Sequence, residues 1–458
     1  MSDTITATMS RWAADLRFED IGENAVHEAR RYLLDSLGCA LGGYQQEDVE
    51  IALDVLGEVA GPGPATVIGS GQRMDVVSAA LANALMVRVM DYNDIYWQQD
   101  PSHPSDIIPA ALACAERQGK GGRELIVGII LGHEFEMRLC EAAFPGIRER
   151  GWHHGTLTSF VSPIVAGRLL DLEWEKIQHA IGISASHSGT LGAVTAGKLT
   201  MMKNTVDPMA TEAGVMAALL AEKGYTGPEH VIDGKEGLVH CMGPEWKLNI
   251  LTDGLGDSWR IERCGMKYFP TEALTHAPIS AVLQLVEEND LVPEDVAKIR
   301  IRSLARAADI LADPTKYDPR SKETADHSLP YVIAAALVDR KVTPAQFEPE
   351  KIMDPRIREQ LHKVEVTADP EIEKLFPALQ RVGVTIETTD GRQVGMELDY
   401  PKGDPRNPLT EDEIEGKFDA LAEGVLSKEK ARRLKEAVWR VDELDSVSEL
   451  LELCATDL

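Results

Sequence analysis

The strongest constraint on the fold is a succession of long segments in which apolar residues recur every three or four positions, with mostly short connections between them. Across residues 20–43, Val26, Ala29, Leu33, Leu37 and Leu41 fall on one helical face, and the Gly42, Gly43 pair reads as a C-terminal stop. Similar patterns cover 49–59, 76–90, 107–118 and 122–143. No window here alternates with a period of two over strand length, so residues 1–265 are expected to form an all-helical domain. The pattern then changes. VAKIRIRSL, from Val296, alternates apolar and basic residues as a strand does, and VGVTIETTDGRQVGMELDY, from Val382, reads as a hairpin around Asp390 and Gly391. Between them ETADHSLPYVIAAALVDRKVT, from Glu323, reads as an amphipathic helix with a polar start. The expected fold is therefore mainly α, with a smaller α+β domain over 266–400. Thr410, as N-cap, opens C-terminal helices over 401–458 that return to the helical domain.

At 458 residues the chain exceeds the size at which a single core keeps growing, which also favours two domains. A formal net charge of −28 argues against nucleic acid or an anionic membrane as partner, since both need clustered cations. It also means that an anionic substrate would need a local pocket of Lys, Arg and His. The six cysteines are widely spaced and contain no C-x-x-C pair, the pattern of reduced thiols rather than of a disulfide framework or a metal or iron–sulfur centre. No leader-like N-terminus and no membrane-length apolar run is visible, so the expected location is cytoplasmic.

One stretch breaks the helical pattern with a purpose. RVMDYNDIYWQQDPSHPSDIIP, residues 88–109, crowds Asp91, Asn93, Asp94, Asp100, His103, Ser105 and Asp106 between two apolar flanks. A simple connection would be shorter. Ser105 and Asp106 read as caps for the next helix, whereas Asp91 and His103 read as chemistry.

This stretch is similar to the signature segment of the MmgE/PrpD family, whose members include 2-methylcitrate dehydratases, cis-aconitate decarboxylases and an iminodisuccinate epimerase. The likeness rests on Asp91, Asn93, Asp94 and the run His103, Pro104, Ser105, Asp106. Ile95 departs from it, standing where the family usually has Thr, which removes a possible substrate hydrogen bond. Further segments carry the resemblance along nearly the whole chain. In GWHHGTLTSF the resemblance makes His153 an active-site histidine, while His154 is as compatible with a structural role; two adjacent side chains diverge, so they are not expected to bind a metal. MMKNTVDPMATEAG places Lys203, and GMKYFP places Lys267, at positions where the family contacts substrate. Residues 273–276 read Ala, Leu, Thr, His where the close dehydratases have a tyrosine–histidine–serine–glutamine element. ETADHSLPY is close to the dehydratases and puts Tyr331 four residues after His327, with Tyr331 expected to face the cleft.

The resemblance implies a cofactor-independent lyase without a bound metal. The expected reaction is dehydration of 2-methylcitrate or a similar hydroxy-polycarboxylate; cis-aconitate decarboxylation, epimerisation of a dicarboxylate such as iminodisuccinate, or an inactive binding protein are the alternatives. Asp91, His103 and His153 are the expected proton-transfer residues, and Lys203, Lys267, Tyr331 and Asp94 the expected substrate contacts. With Lys203 assigned to the helical domain and Lys267 to the smaller one, the two would meet substrate from different domains. A homodimer is also implied.

Overall fold

The computed structural model describes residues 4–243 and 245–458, so the first three residues of the segment read for a leader lie outside it. Helices, 3₁₀ turns included, account for 58% of the described residues, which sets the fold class as mainly α. Two compact units are present. The larger holds the residues up to Thr195, Asn204–Cys264 and Thr410–Leu458, and the smaller holds Ala196–Lys203 and Gly265–Leu409.

The larger unit is built on α1 (Ile5–Asp15), α2 (Glu23–Gly43), α3 (Glu47–Val59), α4 (Val76–Arg88), α5 (Ile108–Arg117), α6 (Gly122–Ala142), α7 (Gly155–Leu169), α8 (Trp174–Ala185) and most of α9 (Met202–Glu222). Helices α6 and α7 are buried on nearly every side, as their apolar composition all round demands, and they pack on each other at the centre. Helix α6 nevertheless carries His133, Glu134, Glu136 and Arg138, all buried. Buried charge must be paired. Arg138 donates to Glu134 at 2.7 Å and to the carbonyls of Ile250 and Asp253, and Glu136 accepts the Thr158 hydroxyl of α7 at 2.9 Å.

The Gly42, Gly43 pair does not stop a helix by turning left-handed. Helix α2 runs through Gly43, and a Cβ at Gly43 would collide with the Met86 carbonyl on α4. Close approach of α2 to α4 is what requires glycine there. At the end of α4, Arg88 is 2% exposed. The segment beyond α4 is not wholly irregular: β1 (Asp94–Trp97) and β2 (Pro101–Ser102) form a small antiparallel hairpin, with Tyr96 opposite Ser102. The C-terminal helix Glu411–Ala422, capped by Thr410 and Glu413, braces this segment, because its Lys417 binds Asp35 of α2 and the Tyr92 carbonyl, both at 2.6 Å.

The smaller unit holds a four-stranded sheet of β3 (Val296–Ser303), β4 (Val364–Ala368), β5 (Val382–Thr388) and β6 (Gln393–Leu398), in the order β6, β5, β3, β4. The β3–β4 pair is parallel and the other two are antiparallel. Val296, Ile299 and Ile301 of β3 face the core, while Arg300 and Arg302 reach Glu387, Asp369 and Glu397 on neighbouring segments. The expected helix from Glu323 is two pieces, Lys322–Ala325 and Leu329–Asp339, and Ser328 caps the second by accepting the Tyr331 N–H at 3.1 Å. His327 therefore precedes the helix and does not share a helical face with Tyr331. Among the described residues no helix is long and apolar enough to cross a membrane.

Candidate active site

Buried charge in the larger unit converges on Arg88. Its Nη1 lies 2.5 Å from Asp91 Oδ1, and its Nε stands 3.6 Å from both Asp106 Oδ2 and Asp207 Oδ2. All four residues are at most 2% exposed. Asp91 holds a φ of 50°, a left-handed backbone that Asp tolerates better than most residues, and this bend lets it fold back on Arg88 three residues earlier. One guanidinium cannot neutralise three carboxylates, and the site resolves the excess unequally. Burial drives the Asp106 carboxyl well above the usual range, with Arg88 opposing the rise and Asp207 adding to it. Burial also works against ionised Asp207, yet His154, with Arg88, pulls it below its ordinary value. Asp106 is thus the carboxyl that keeps a proton and Asp207 the one that keeps its charge.

Asp207 faces two imidazoles. His153 Nδ1 is 3.7 Å from Oδ1 and His154 Nε2 is 3.5 Å from Oδ2. The rings of His153 and His154 lie 3.8 Å apart between centroids, and His154 lies 5.4 Å from His103. The adjacent histidines therefore do not diverge as expected. His154 already has helical dihedrals at the start of α7, and the chain turns between the two residues so that both rings meet one carboxylate. His153 Nδ1 accepts the Gly155 N–H at 3.1 Å, which leaves the ring proton on Nε2. Burial, reinforced by the charge of His154, holds its pKa well below the usual imidazole range, so His153 is a neutral N–H donor. His103 Nδ1 stands 2.6 Å from the Asp94 carbonyl, which can only accept; Nδ1 carries the proton and Nε2 the lone pair.

Asp94 has a different task from the expected substrate contact. Its Oδ1 accepts the Ser105 hydroxyl at 2.6 Å, its Oδ2 accepts the Ser105 N–H at 2.9 Å, and it is fully buried. Asn93 donates to Ser105 and Asp106, both at 2.9 Å. The motif acid and its neighbours thus brace the loop that holds His103. Ser105 and Asp106 do not cap the following helix, since no side chain bonds the first turn of α5 or of the short 3₁₀ turn before it.

Among the described residues two buried trios bring three possible metal ligands together, where the sequence suggested none: Asp94, His133 and Cys264, and His153, His154 and Asp207.

The remaining expected contacts lie in the smaller unit. Lys203 belongs there together with Lys267, which corrects its assignment to the helical domain, and both are 2% exposed. Tyr331 is corrected as well. It is fully buried, its hydroxyl donates to the Gln346 carbonyl at 2.5 Å, and its ring packs near Phe347, so it belongs to the core. Sequence reasoning missed Arg88 and Asp207. The available signal was a lone acid in the apolar stretch NTVDPMA, where an unpaired charge would be costly.

The amino-acid sequence matches known proteins along most of its length. A model of the MmgE/PrpD N-terminal domain matches residues 7–251, and one of the MmgE/PrpD C-terminal domain matches 269–443. The chain belongs to the MmgE/PrpD family. It is 28% identical to a cis-aconitate decarboxylase-like protein of Aspergillus oryzae, over 99% of this chain and 98% of that one. It is 27% identical to the cis-aconitate decarboxylase of Homo sapiens, over 99% and 95%. With the 2-methylcitrate dehydratase of Salmonella typhi it shares 25% identity over 85% and 84%. The N-terminal family match includes every residue of the Arg88, Asp91, His103, His153 and Asp207 cluster.

Proposed function

We propose that the protein is a cofactor-independent lyase that dehydrates 2-methylcitrate or a similar hydroxy-polycarboxylate. The observation that carries this reading is the run of three imidazoles, His103, His154 and His153, with ionised Asp207 behind two of them. Dehydration needs a base for a weakly acidic proton beside a carboxylate and an acid for the departing hydroxyl. His103 supplies the base at Nε2, because its Nδ1 proton is committed to the Asp94 carbonyl. The C–H electron pair becomes the new double bond, and the C–O bond breaks with its pair on oxygen. His154, backed by Asp207, protonates that oxygen, and water leaves. Neutral His153 donates from Nε2 to the negative charge that builds on the carboxylate next to the reacting carbon. Arg88 and Asp91 hold Asp207 and the loop in register, which moves Asp91 from proton transfer to positioning.

Decarboxylation of cis-aconitate is the second reading. It is favoured by relatives named for that reaction, which match 98–99% of this chain against 85% for the bacterial dehydratases. The same base and donor could serve it, with carbon rather than oxygen receiving the proton. Incubation with 2-methylcitrate, cis-aconitate and iminodisuccinate in turn, followed by NMR, separates these outcomes. Alkene formation without carbon dioxide supports dehydration, carbon dioxide release supports the second reading, and no change with any of the three sinks both.

A further inference from the structure

The trio of Asp94, His133 and Cys264 takes no part as a ligand set in the proton transfers above. Three elements of the larger unit supply it. Strand β1 brings Asp94, α6 brings His133, and Cys264 follows the 3₁₀ turn Arg260–Arg263, its carbonyl held by the Tyr32 hydroxyl of α2 at 2.6 Å. Each is at most 4% exposed. His133 Nδ1 lies 2.9 Å from the Ile129 carbonyl, which can only accept, so Nδ1 carries the ring proton and Nε2 the lone pair. That Nε2 is buried without a hydrogen-bond partner and stands 3.4 Å from Asp94 Oδ2. Cys264 Sγ lies 3.7 Å from the same oxygen. A proton on Nε2 would satisfy the nitrogen and the oxygen alone, whereas a metal ion satisfies the sulfur as well. Zinc bonds of about 2.0–2.1 Å to nitrogen and oxygen and about 2.3 Å to sulfur, at tetrahedral angles, set the nitrogen–oxygen edge at about 3.3–3.4 Å and the oxygen–sulfur edge at about 3.5–3.6 Å. The separations of 3.4 and 3.7 Å meet these edges with little movement, and all three atoms lie within 4.8 Å of one another.

We propose that Asp94, His133 and Cys264 form an inhibitory site for a thiophilic divalent cation such as zinc, taken up from excess ion rather than held as a resident cofactor. Ser105 donates to both Asp94 oxygens, so an ion must compete for them and does not stay at low concentration. It enters from the side of Cys264, the most accessible of the three. Binding converts the Cys264 thiol to a thiolate and releases one proton per ion, with no electron transferred. Sulfur and imidazole select zinc, cobalt or cadmium over magnesium and calcium, which take oxygen ligands. An ion on Oδ2 draws the carboxylate toward His133 and Cys264 and away from Ser105. The carbonyl that fixes the His103 Nδ1 proton belongs to the same Asp94, so the loop brace and the base are disturbed together. Binding is independent of the reaction assigned to the protein; only its effect on turnover rests on that reading.

The test titrates the full, EDTA-dialysed chain with cobalt(II) and then zinc, with magnesium as a separate arm. The expected result is a near-ultraviolet thiolate-to-cobalt absorption that saturates at one ion per chain and is displaced by zinc but not by magnesium. The band should be lost in Cys264→Ala and kept in Cys241→Ser, which removes the exposed thiol. X-ray absorption on zinc-loaded wild type decides the matter even where Cys264→Ala folds poorly: one sulfur at about 2.3 Å with nitrogen and oxygen at about 2.0–2.1 Å is expected. A shell of nitrogen and oxygen alone, a band that survives in folded Cys264→Ala, or equal competition by magnesium overturns the site. On whichever of 2-methylcitrate, cis-aconitate and iminodisuccinate is turned over, the loaded enzyme should lose kcat by about 10²–10⁴-fold, the range for losing a positioned base, and recover it with EDTA. Full kcat with one ion bound overturns the inhibitory role. If metal-free protein turns over none of the three, the lyase reading fails and takes the inhibitory role with it, and the spectra alone decide the binding.

Discussion

Asp94 and Asp207 are both fully buried aspartates of the larger unit, each set against histidine, yet they are built for different ends. Asp94 is saturated. Ser105 gives it one hydrogen bond from its backbone and one from its hydroxyl, Cys264 Sγ lies 3.7 Å away, and His133, its Nδ1 on the Ile129 carbonyl, stands with Nε2 3.4 Å from Oδ2. Asp207 instead faces His153, His154 and Arg88 at 3.5–3.7 Å, longer than hydrogen bonds, so charge rather than short contact holds it. A carboxylate whose lone pairs are filled by backbone and hydroxyl donors fixes a loop. One that meets two imidazoles and a guanidinium at longer range can tighten and relax as a proton moves on the imidazoles. Burial alone does not distinguish the two.

The most direct way to break this comparison is to neutralise each acid in turn. Asp207→Asn should lower kcat by about 10²–10⁴-fold, the range for losing a general acid–base partner, a loss beyond what any fall in stability accounts for. Asp94→Asn should instead lose about 1.5–3 kcal/mol of stability, because Ser105 gives up charge-assisted bonds, and activity should fall only as far as the fold does. Urea midpoints and steady-state kinetics on the same preparations read both effects. A stable, inactive Asp94→Asn would reverse the assignment.

A smaller effect is expected from the lysines. Lys203→Met and Lys267→Met should each raise KM by roughly 10- to 150-fold, the equivalent of about 1.5–3 kcal/mol for a charge-assisted contact to a carboxylate. Equal losses in kcat with KM unchanged would mean that these lysines act on the reacting atoms rather than on binding.

The parts of this arrangement that were legible in sequence are those set by local pattern. The helical periods, the alternating strand at Val296 and the hairpin at Asp390 appear where the apolar spacing puts them. The residues at 91–106 stood out because polar groups inside apolar flanks need a reason. What stayed hidden depends on the third dimension. Nothing local shows that Gly43 faces a carbonyl of α4, that His153 and His154 turn to one carboxylate, or that Tyr331 spends its hydroxyl on Gln346. Asp94 and Asp91 carry the same side chain three residues apart, and only their partners separate a loop brace from a guanidinium partner.

Glu136 tests the comparison from a third position, since Asp207 and Asp94 both act on it. Burial pushes its carboxyl up to about 8, the Thr158 hydroxyl opposes this, and the two aspartates add to it. Between about pH 4.3 and 8 the folded protein holds a proton that the unfolded chain has released. This contribution to stability is therefore complete below the unfolded pKa and lost as pH rises through the folded one, with a slope of up to about 1.4 kcal/mol per pH unit. Asp207, whose pKa is depressed, has the opposite sign: its contribution is present above the unfolded carboxylate pKa and is lost only as pH falls below it. The windows do not overlap. Urea midpoints from pH 5 to 8 should decline more steeply for wild type than for Glu136→Gln, and parallel curves would show that Glu136 is ionised throughout.

The smallest expected effect is that of chelation. Both trios bring three possible ligand atoms within 4.8 Å, and each contains donors a metal accepts, so geometry alone does not separate an acid–base cluster from a metal centre. Their hydrogen bonds do. His153 Nδ1, the nitrogen nearest Asp207, already accepts the Gly155 N–H, and a lone pair used in that way is not offered to a cation. Asp94 has committed both oxygens to Ser105, and a metal would have to compete with a hydroxyl at 2.6 Å and an N–H at 2.9 Å. Prolonged dialysis against EDTA should therefore leave kcat and melting temperature within about 20% and 1 °C of the untreated protein, a shift no larger than a fraction of a kcal/mol would cause in a chain of this size. Loss of activity with an unchanged melting temperature, restored by zinc, would make the Asp207 trio a metal centre and remove its role as a proton relay. Loss of melting temperature first would place the metal at Asp94 and make the loop brace a metal-dependent one.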